Sequence, residues 1–191
     1  MSLRTDVTVD GPDGIADFAG EVADLVAAGL EEHELTQAVA SRLRVLLASG
    51  LTLPDELVRA DPDHYVLRPL HVAPDGSFSI AAAVWDLGQG TPVHGHETWG
   101  VVGIHSGIER EVRYEKPERP GVPLVRADSD DWTAGQVTVC CTVDDDVHQV
   151  SCGGDEPCVG IHVYGADIGT LRRRSYQPET GSVDWFVSRW S

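Results

Sequence analysis

The segment TPVHGHETWG, residues 91–100, places two histidines one residue apart, at His94 and His96. Successive side chains of an extended strand point to opposite faces, so these two imidazoles are expected to share one face. Neutral imidazole is the form in which histidine binds transition metals. The pair therefore predicts part of a metal site or, alternatively, two hydrogen-bonded structural histidines at the start of a strand.

Glycines stand at regular positions around the histidine pair. Gly88 lies six residues before His94, and Gly107 lies eleven residues after His96, so the stretch reads G-x5-H-x-H-x3-Gly100-x6-G. This spacing resembles the first signature motif of the cupin superfamily, whose fold is a double-stranded β-helix barrel. The motif carries a glutamate ligand at the position of Gly100. The chain therefore departs from the motif at one ligand.

A glycine cannot ligate a metal, so the change at Gly100 alters the chemistry of the predicted site. Glu97 would point to the other face of the strand from His96 and is a poor replacement. The second cupin motif implies His148 as a third histidine, although the usual glycines and proline of that motif are missing. Three neutral imidazoles leave a divalent metal with its charge uncompensated and with open positions. Such a metal suits an anionic substrate, for instance a thiolate, and with Fe(II) it leaves room for O2.

From about residue 65 to residue 164 the chain resembles cysteine dioxygenase and its bacterial relatives, the three-histidine thiol dioxygenases. The segments GQGTPVHGHETWGVVGIHSGIEREVRY, DDDVHQVSC and VGIHVYG carry the resemblance. It implies an Fe(2+) site formed by His94, His96 and His148, and oxidation of a small carboxylate-bearing thiol with O2 to the sulfinate. Cysteine is the first choice of substrate and 3-mercaptopropionate the second. The alternatives are another metal-dependent cupin activity and a non-catalytic ligand-binding or sensor cupin.

The resemblance also implies a catalytic pair. The family has a Ser-x-His-x-Tyr element after the third ligand, and GIHVY supplies His162 and Tyr164 but has Gly160 in place of the serine. The histidine and the tyrosine share a strand face. We expect a shortened hydrogen-bonded relay in which a water replaces the serine hydroxyl. As a purely structural residue, Tyr164 would instead be a core side chain with a satisfied hydroxyl.

An arginine holds the substrate carboxylate in this family, since a planar guanidinium can bind a carboxylate through two parallel hydrogen bonds. The usual position is the first barrel strand, where HYVLRPLHV offers Arg68. Some 3-mercaptopropionate dioxygenases use an arginine after the tyrosine, and LRRRS offers Arg172, Arg173 and Arg174 there. We predict Arg68 as the anchor, with Arg173 as the alternative. At least two of the three later arginines would then be solvated, and without a substrate role Arg68 would be a surface residue of an edge strand.

The elements that position these residues follow from the pattern of apolar side chains. Residues 13–30 and 34–49 carry apolar residues at helical spacing and end near Gly29 and Gly50. TLPDELVRA adds a short helix. After residue 64, short strand-like runs alternate with clusters of Gly, Pro and Asp, which is typical of a small antiparallel barrel.

We therefore predict a mostly β protein, a cupin double-stranded β-helix barrel with an N-terminal α-helical layer. The predicted organisation is a single cupin domain over 1–191, with the helical layer at 1–60 and the barrel and C-terminal wrap at 61–191. The polar stretch EKPERPGVPLVRADSDD is predicted to be a loop between strands. The tail RRRSYQPETGSVDWFVSRW is predicted to be less regular and to wrap the barrel.

The composition restricts the partners. Thirty-one acidic residues against 14 basic ones leave a formal net charge of −17, which repels phosphate backbones and argues against nucleic acid. No apolar run approaches the roughly 18 residues needed to cross a bilayer. The N-terminus MSLRTDVTVDGPDG lacks the basic start and apolar middle of a secretion signal. We expect a cytoplasmic protein with no membrane partner, and the sequence leaves the oligomeric state open.

Overall fold

A computed structural model describes residues 14–142 and 146–191 of the chain. Residues 1–13 of the predicted helical layer, and two aspartates of the acidic turn DDDVH, lie outside the described residues. The helices are α1 (Ile15–Ala27), α2 (Glu32–Ala48) and α3 (Asp55–Val58). The strands are β1 (Val66–Val72), β2 (Ser79–Trp85), β3 (Val93–His94), β4 (Gly100–Ser106), β5 (Ile108–Tyr114), β6 (Arg126–Thr133), β7 (Val137–Cys140), β8 (His148–Cys152), β9 (Cys158–Tyr164), β10 (Arg173–Gln177) and β11 (Ser182–Phe186).

The strands form two antiparallel sheets. One has the order β1-β2-β9-β4-β7 and the other the order β11-β10-β3-β8-β5-β6. Alternate residues of β2 separate two regions of the core: Ile80 and Val84 pack towards the helices, whereas Ala83 and Trp85 pack with Val150 of the second sheet. The two sheets thus enclose a common interior. The predicted class, a mostly β barrel of two antiparallel sheets with an N-terminal helical layer, is confirmed.

The helical layer covers the outer face of the five-stranded sheet. In α1 the buried residues recur at helical spacing, and α2 buries a similar stripe that includes Val39 and Leu43. Gly103 of β4 permits close packing, because a Cβ at this position would lie 2.7 Å from the Leu43 side chain. No helix in the described ranges has both the length and the apolarity needed to span a bilayer. That the whole chain forms one domain stays a prediction.

The prediction of a loop over EKPERPGVPLVRADSDD is wrong for its last six residues, because residues 126–133 form β6. This edge strand pairs with β5 through its backbone, and its side chains are mostly exposed. Ion pairs across the two strands take the place of apolar contacts, for instance between Arg110 Nε and Asp131 Oδ1 at 2.7 Å. The strand therefore lacks the apolar alternation by which a half-buried strand is recognised.

The C-terminal tail is more regular than the sequence suggested. Strands β10 and β11 form a hairpin, and β10 pairs with β3 so that Ser175 lies opposite His94. The tail is thus an integral part of the second sheet. This pairing carries Arg173 to the interior of the barrel, next to the predicted metal ligands.

Candidate metal centre

Three histidines converge in the barrel interior. His94 ends β3 and lies directly opposite His148, the first residue of β8. One ligand atom from each of His94, His96 and His148 lies within 4.8 Å of the others, and all three residues are buried. The structure brings these residues together, but not through the shared strand face expected from the HxH spacing. Strand β3 ends at His94, so His96 belongs to the following loop, which turns at Glu97 with a positive φ of 58°.

Hydrogen bonds orient two of the imidazoles for metal binding. His94 Nδ1 lies 3.0 Å from the Pro92 carbonyl oxygen, and His148 Nδ1 lies 2.6 Å from Glu111 Oε1. Carbonyl and carboxylate oxygens accept hydrogen bonds, so each Nδ1 carries the proton and each Nε2 keeps a free lone pair. The pKa of His94 and that of His96 are well below the usual value, mainly because both rings are buried and secondly because His148 is close to them. Both rings are therefore neutral.

A buried carboxylate supports the third ring. The backbone N–H of His96 donates to Asp146 Oδ1 at 2.7 Å. His96 Nδ1 lies 3.3 Å from the same oxygen but lacks the geometry of a hydrogen bond. A Cβ at Gly95 would lie 2.8 Å from Asp146 Oδ2. The glycine between the two histidines thus leaves the space that this carboxylate fills.

The arrangement fits a divalent transition metal. His96 Nε2 and His148 Nε2 are 3.2 Å apart, and two lone pairs at this distance repel each other unless a cation or a proton lies between them. Metal–nitrogen bonds of about 2.0–2.1 Å separated by roughly 100° produce such a spacing. Imidazole ligands suit zinc, copper, iron and nickel. The geometry therefore supports a metal site without selecting iron.

An aromatic ring packs against the position at which the cupin motif carries its glutamate. A Cβ at Gly100 would lie 3.7 Å from Tyr164 Cδ1. Glu97 points away from the histidines and forms a two-point ion pair with Arg174, at 2.5 Å and 2.9 Å. No carboxylate from either position reaches the histidines, so the three imidazoles stand without the fourth protein ligand of the cupin motif.

The histidines line a small cavity in the barrel interior. Apolar and aromatic side chains, among them Leu67, Ala83 and Trp85, form much of its wall. Arg173 also lines it and is only 3% exposed. Its Nη2 donates to Ser188 Oγ at 2.6 Å, whereas its buried Nε–H has no hydrogen-bond partner among the described residues. A buried cation with an unused donor favours an anion in the same cavity.

Arg68, the preferred anchor on sequence grounds, does not line this cavity. Its neighbour Leu67 takes the inward position on β1, so Arg68 points towards the helical layer. Arg68 Nη1 donates to the carbonyl oxygen of Leu57 in α3 at 3.3 Å. Arg68 therefore lies outside the cavity that the histidines line, whereas the alternative candidate, Arg173, lines it. Which arginine holds a carboxylate stays a prediction.

The solved structures to which the chain is similar include cupin proteins. One is an uncharacterized conserved protein with a double-stranded β-helix domain from Klebsiella pneumoniae, 15% identical over 71% of this chain and 88% of that chain, with a TM-score of 0.45. Another is a Cupin 2 conserved barrel domain protein from Salinispora arenicola, 19% identical over 59% and 84% of the two chains, with a TM-score of 0.42. A DMSP lyase from Ruegeria pomeroyi is 14% identical over 63% and 57%, with a TM-score of 0.42. No family model matches the chain.

The second predicted pair, on β9, lies beside the histidines. His162 Nδ1 is 2.9 Å from the Tyr164 hydroxyl, and the rings of Tyr164 and His96 are 5.5 Å apart. Burial raises the pKa of Tyr164, so its hydroxyl keeps its proton at neutral pH. At the other side of the ring, His162 Nε2 lies 3.4 Å from Glu109 Oε2. A carboxylate from β5 thus reaches His162, and the water expected in place of the serine hydroxyl stays a prediction.

Sequence reasoning missed the carboxylates that support the imidazoles: Glu109, Glu111 and Asp146. The first two alternate in EREV on β5 and are 2% and 3% exposed. Their spacing places them on one strand face, but glutamate is most often an exposed residue. Only the neighbouring β8, which brings His148 alongside β5, identifies that face as the inner one.

Glu111→Met, which removes the acceptor, is expected to weaken metal binding by about 10- to 100-fold, the usual cost of losing a group that orients a metal-bound histidine. Burial alone would raise the pKa of Glu111, but the hydrogen bond and charge of His148, with the charge of Arg113, lower it to about 2. The residue is therefore a carboxylate that holds the Nδ1 proton of His148. A titration against a competing chelator measures the affinity. Glu97→Met is the matched control, and equal affinities of the two variants would contradict this role.

Proposed function

We propose that the protein is a non-haem iron dioxygenase that oxidises a small, carboxylate-bearing thiol to its sulfinate. The observation that carries the proposal is the lining of one cavity by the neutral imidazoles and by Arg173 with its unused Nε–H. Fe(2+), held by His94, His96 and His148, would supply the oxygen chemistry, in which both atoms of O2 pass to sulfur. O2 is the oxidant of the thiol, so no further reductant is required.

The charges of the site suit a substrate with two anionic ends. The protein as a whole is strongly acidic, with a net charge of −17, and repels anions at long range. Inside the cavity, Arg173 is a cation whose burial leaves it little water to hydrogen-bond. A carboxylate there would accept from the guanidinium, while the thiolate of the same molecule would face the histidines. A short chain between the two groups matches the small cavity.

The lining also bears on which thiol is preferred. Among the described residues that line the cavity there is no aspartate or glutamate. The ammonium group of cysteine would therefore enter without an acidic partner, and an unpaired buried charge is costly. 3-Mercaptopropionate has the same thiol and carboxylate but no ammonium group. With Arg173 as the anchor instead of Arg68, we place 3-mercaptopropionate before cysteine, reversing the order expected from the sequence.

Tyr164→Phe is expected to lower turnover by roughly 100-fold or more, in the range of positioned proton-transfer groups. Its hydroxyl lies in the cavity wall beside His96 and forms a hydrogen bond with His162. Loss of one buried hydrogen bond should cost only about 0.5–1.5 kcal/mol of unfolding free energy. Steady-state kinetics and denaturant unfolding measure the two effects. Tyr176→Phe is the control, since Tyr176 is also buried but lies outside the cavity. A similar loss of turnover in both variants would indicate that Tyr164 has only a structural role.

Oxygen uptake by the iron-loaded protein tests the proposed function. The thiols are 3-mercaptopropionate, cysteine and cysteamine, which lacks a carboxylate, and the products are identified by mass. We expect uptake with formation of the sulfinate, fastest with 3-mercaptopropionate and slowest with cysteamine. Binding of a thiol without any oxygen uptake would contradict the proposal and favour a ligand-binding cupin instead.

A further inference from the structure

A buried glutamate completes a chain of three polar groups next to the metal site. Glu109, in β5, is 2% exposed. Its Oε2 lies 3.4 Å from His162 Nε2, and His162 Nδ1 lies 2.9 Å from the Tyr164 hydroxyl. Glu109 and His162 come from different strands, and no sequence motif connects them. Apart from this histidine, no hydrogen bond or ion pair of the Glu109 carboxylate is found among the described residues.

We propose that Glu109 is a positioning residue that fixes the protonation pattern of His162 and, through it, the direction of the Tyr164 hydroxyl. It acts on the tyrosine only through the imidazole and does not line the cavity. The catalytic consequence rests on the proposed function, because it assumes that Tyr164 acts on a substrate. The effect on the protonation pattern is independent of any activity.

The direction of the hydrogen bonds follows from what a carboxylate can do. An ionised carboxylate only accepts, so its hydrogen bond with a neutral His162 requires that the ring carry its proton on Nε2. The Nδ1 lone pair then accepts from the Tyr164 O–H. The phenol proton is directed at His162, and the remaining lone pairs of the phenol oxygen are left for other donors. A serine hydroxyl, which both donates and accepts, would not impose this one direction.

Gly160 and Glu109 form a matched pair. A Cβ at Gly160 would lie 2.6 Å from His162 Nε2 and 2.9 Å from Glu109 Oε2. A serine at this position would therefore have to displace the imidazole or the carboxylate. The glycine leaves room for the glutamate to approach the ring, and the glutamate supplies the polar partner that the glycine cannot. The two residues together replace a serine on β9 with a carboxylate from β5.

The proton position on His162 tests the proposal directly. Long-range imidazole ¹H–¹⁵N correlation spectra of the zinc-loaded protein distinguish the two neutral forms, and His162→Gln assigns the signal. We expect the Nε2–H form in the unmodified protein. Glu109→Met, which has similar length but no strong acceptor, should give a mixture of both forms. Glu109→Gln, whose amide oxygen can still accept, should restore the Nε2–H form. A Met variant with the wild-type spectrum would overturn the proposal, as would an Nδ1–H form in the unmodified protein.

Kinetics supply the second measurement. In the iron-loaded protein, Glu109→Met should lower kcat at least tenfold with little change in KM, since Arg173 and the three metal ligands are untouched. Glu109→Gln should recover most of kcat, and metal content should be equal in all three proteins. If no thiol is oxidised by the unmodified protein, the proposed function fails while the spectra still decide the role of Glu109. If oxidation occurs but neither kcat nor the spectrum responds to Glu109→Met, the positioning role alone is wrong.

Discussion

His96→Ala and His148→Ala are each expected to lose the bound metal and all oxygen uptake. Each removes one of three imidazoles. The neighbouring carboxylates, Asp146 and Glu111, lie at the Nδ1 side of His96 and His148, whereas the Nε2 atoms of these two rings face each other. Metal content after loading and desalting, together with oxygen uptake, measures the effect. Near-stoichiometric binding in the unmodified protein should fall to background in both variants.

The two variants are expected to differ in their free energy of unfolding. A measurement of stability therefore distinguishes the loss of a metal ligand from misfolding. His148→Ala leaves the buried Glu111 without its imidazole partner and should cost about 1–3 kcal/mol of unfolding free energy. His96→Ala keeps the pair formed by Glu111 and His148. His64→Ala is the control, because its side chain is 66% exposed. Full metal occupancy in a folded His96→Ala protein would show that the ligand set is wrong.

The metal ligands were open to prediction because their signal is local or belongs to a recognisable pattern. The HxH spacing and its flanking glycines indicate the first two, and the resemblance to thiol dioxygenases adds His148. Gly88 and Gly107 both adopt positive φ, at 77° and 74°, a conformation that glycine reaches without strain. The glycine spacing in the sequence therefore already indicated these two turns.

The choice between the two arginines was not open to prediction in the same way. On β1, Val66 packs towards the helices and Leu67 towards the barrel interior. Because both faces of this strand are covered, apolar residues occur on both, and their alternation does not identify the inward one. A shift of one residue decides whether Arg68 faces the metal. Arg173 reaches the cavity only because β10 pairs with β3, a long-range contact that leaves no local signal.

The supporting carboxylates share this difficulty. Glu109 and Glu111 alternate with Ile108, Arg110 and Val112 along β5, and burial of the glutamate face reverses the usual preference of these residue types. The reversal is explained by what the glutamates contact, namely His162 and His148 on other strands. Buried carboxylates also oppose the charge that a divalent metal and Arg173 would bring to the interior. A strand that buries its charged residues in this way can be recognised as functional only when the strands that pair with it are known.

Arg173→Ala is expected to produce the largest change in substrate preference. Removal of a buried charged partner typically costs about 2–5 kcal/mol, which corresponds to a fall in kcat/KM of roughly 30- to 5,000-fold. The loss should apply to 3-mercaptopropionate and to cysteine, since both present a carboxylate. Cysteamine has none, so its slow oxidation should be nearly unchanged. Arg173→Lys, which keeps the charge but not the planar pair of donors, should give an intermediate value.

The measurement is kcat/KM for the three thiols in the unmodified protein, Arg173→Ala, Arg173→Lys and Arg68→Ala. Arg68→Ala is the matched control, because Arg68 is a half-buried arginine of the same barrel that points to the helical layer. Metal content shows whether each variant keeps its histidine site. A loss confined to Arg68→Ala would restore the anchor that the sequence favoured. Equal rates for cysteamine and 3-mercaptopropionate in the unmodified protein would contradict any carboxylate anchor, since the unused Nε–H of Arg173 would then have no substrate group to bind.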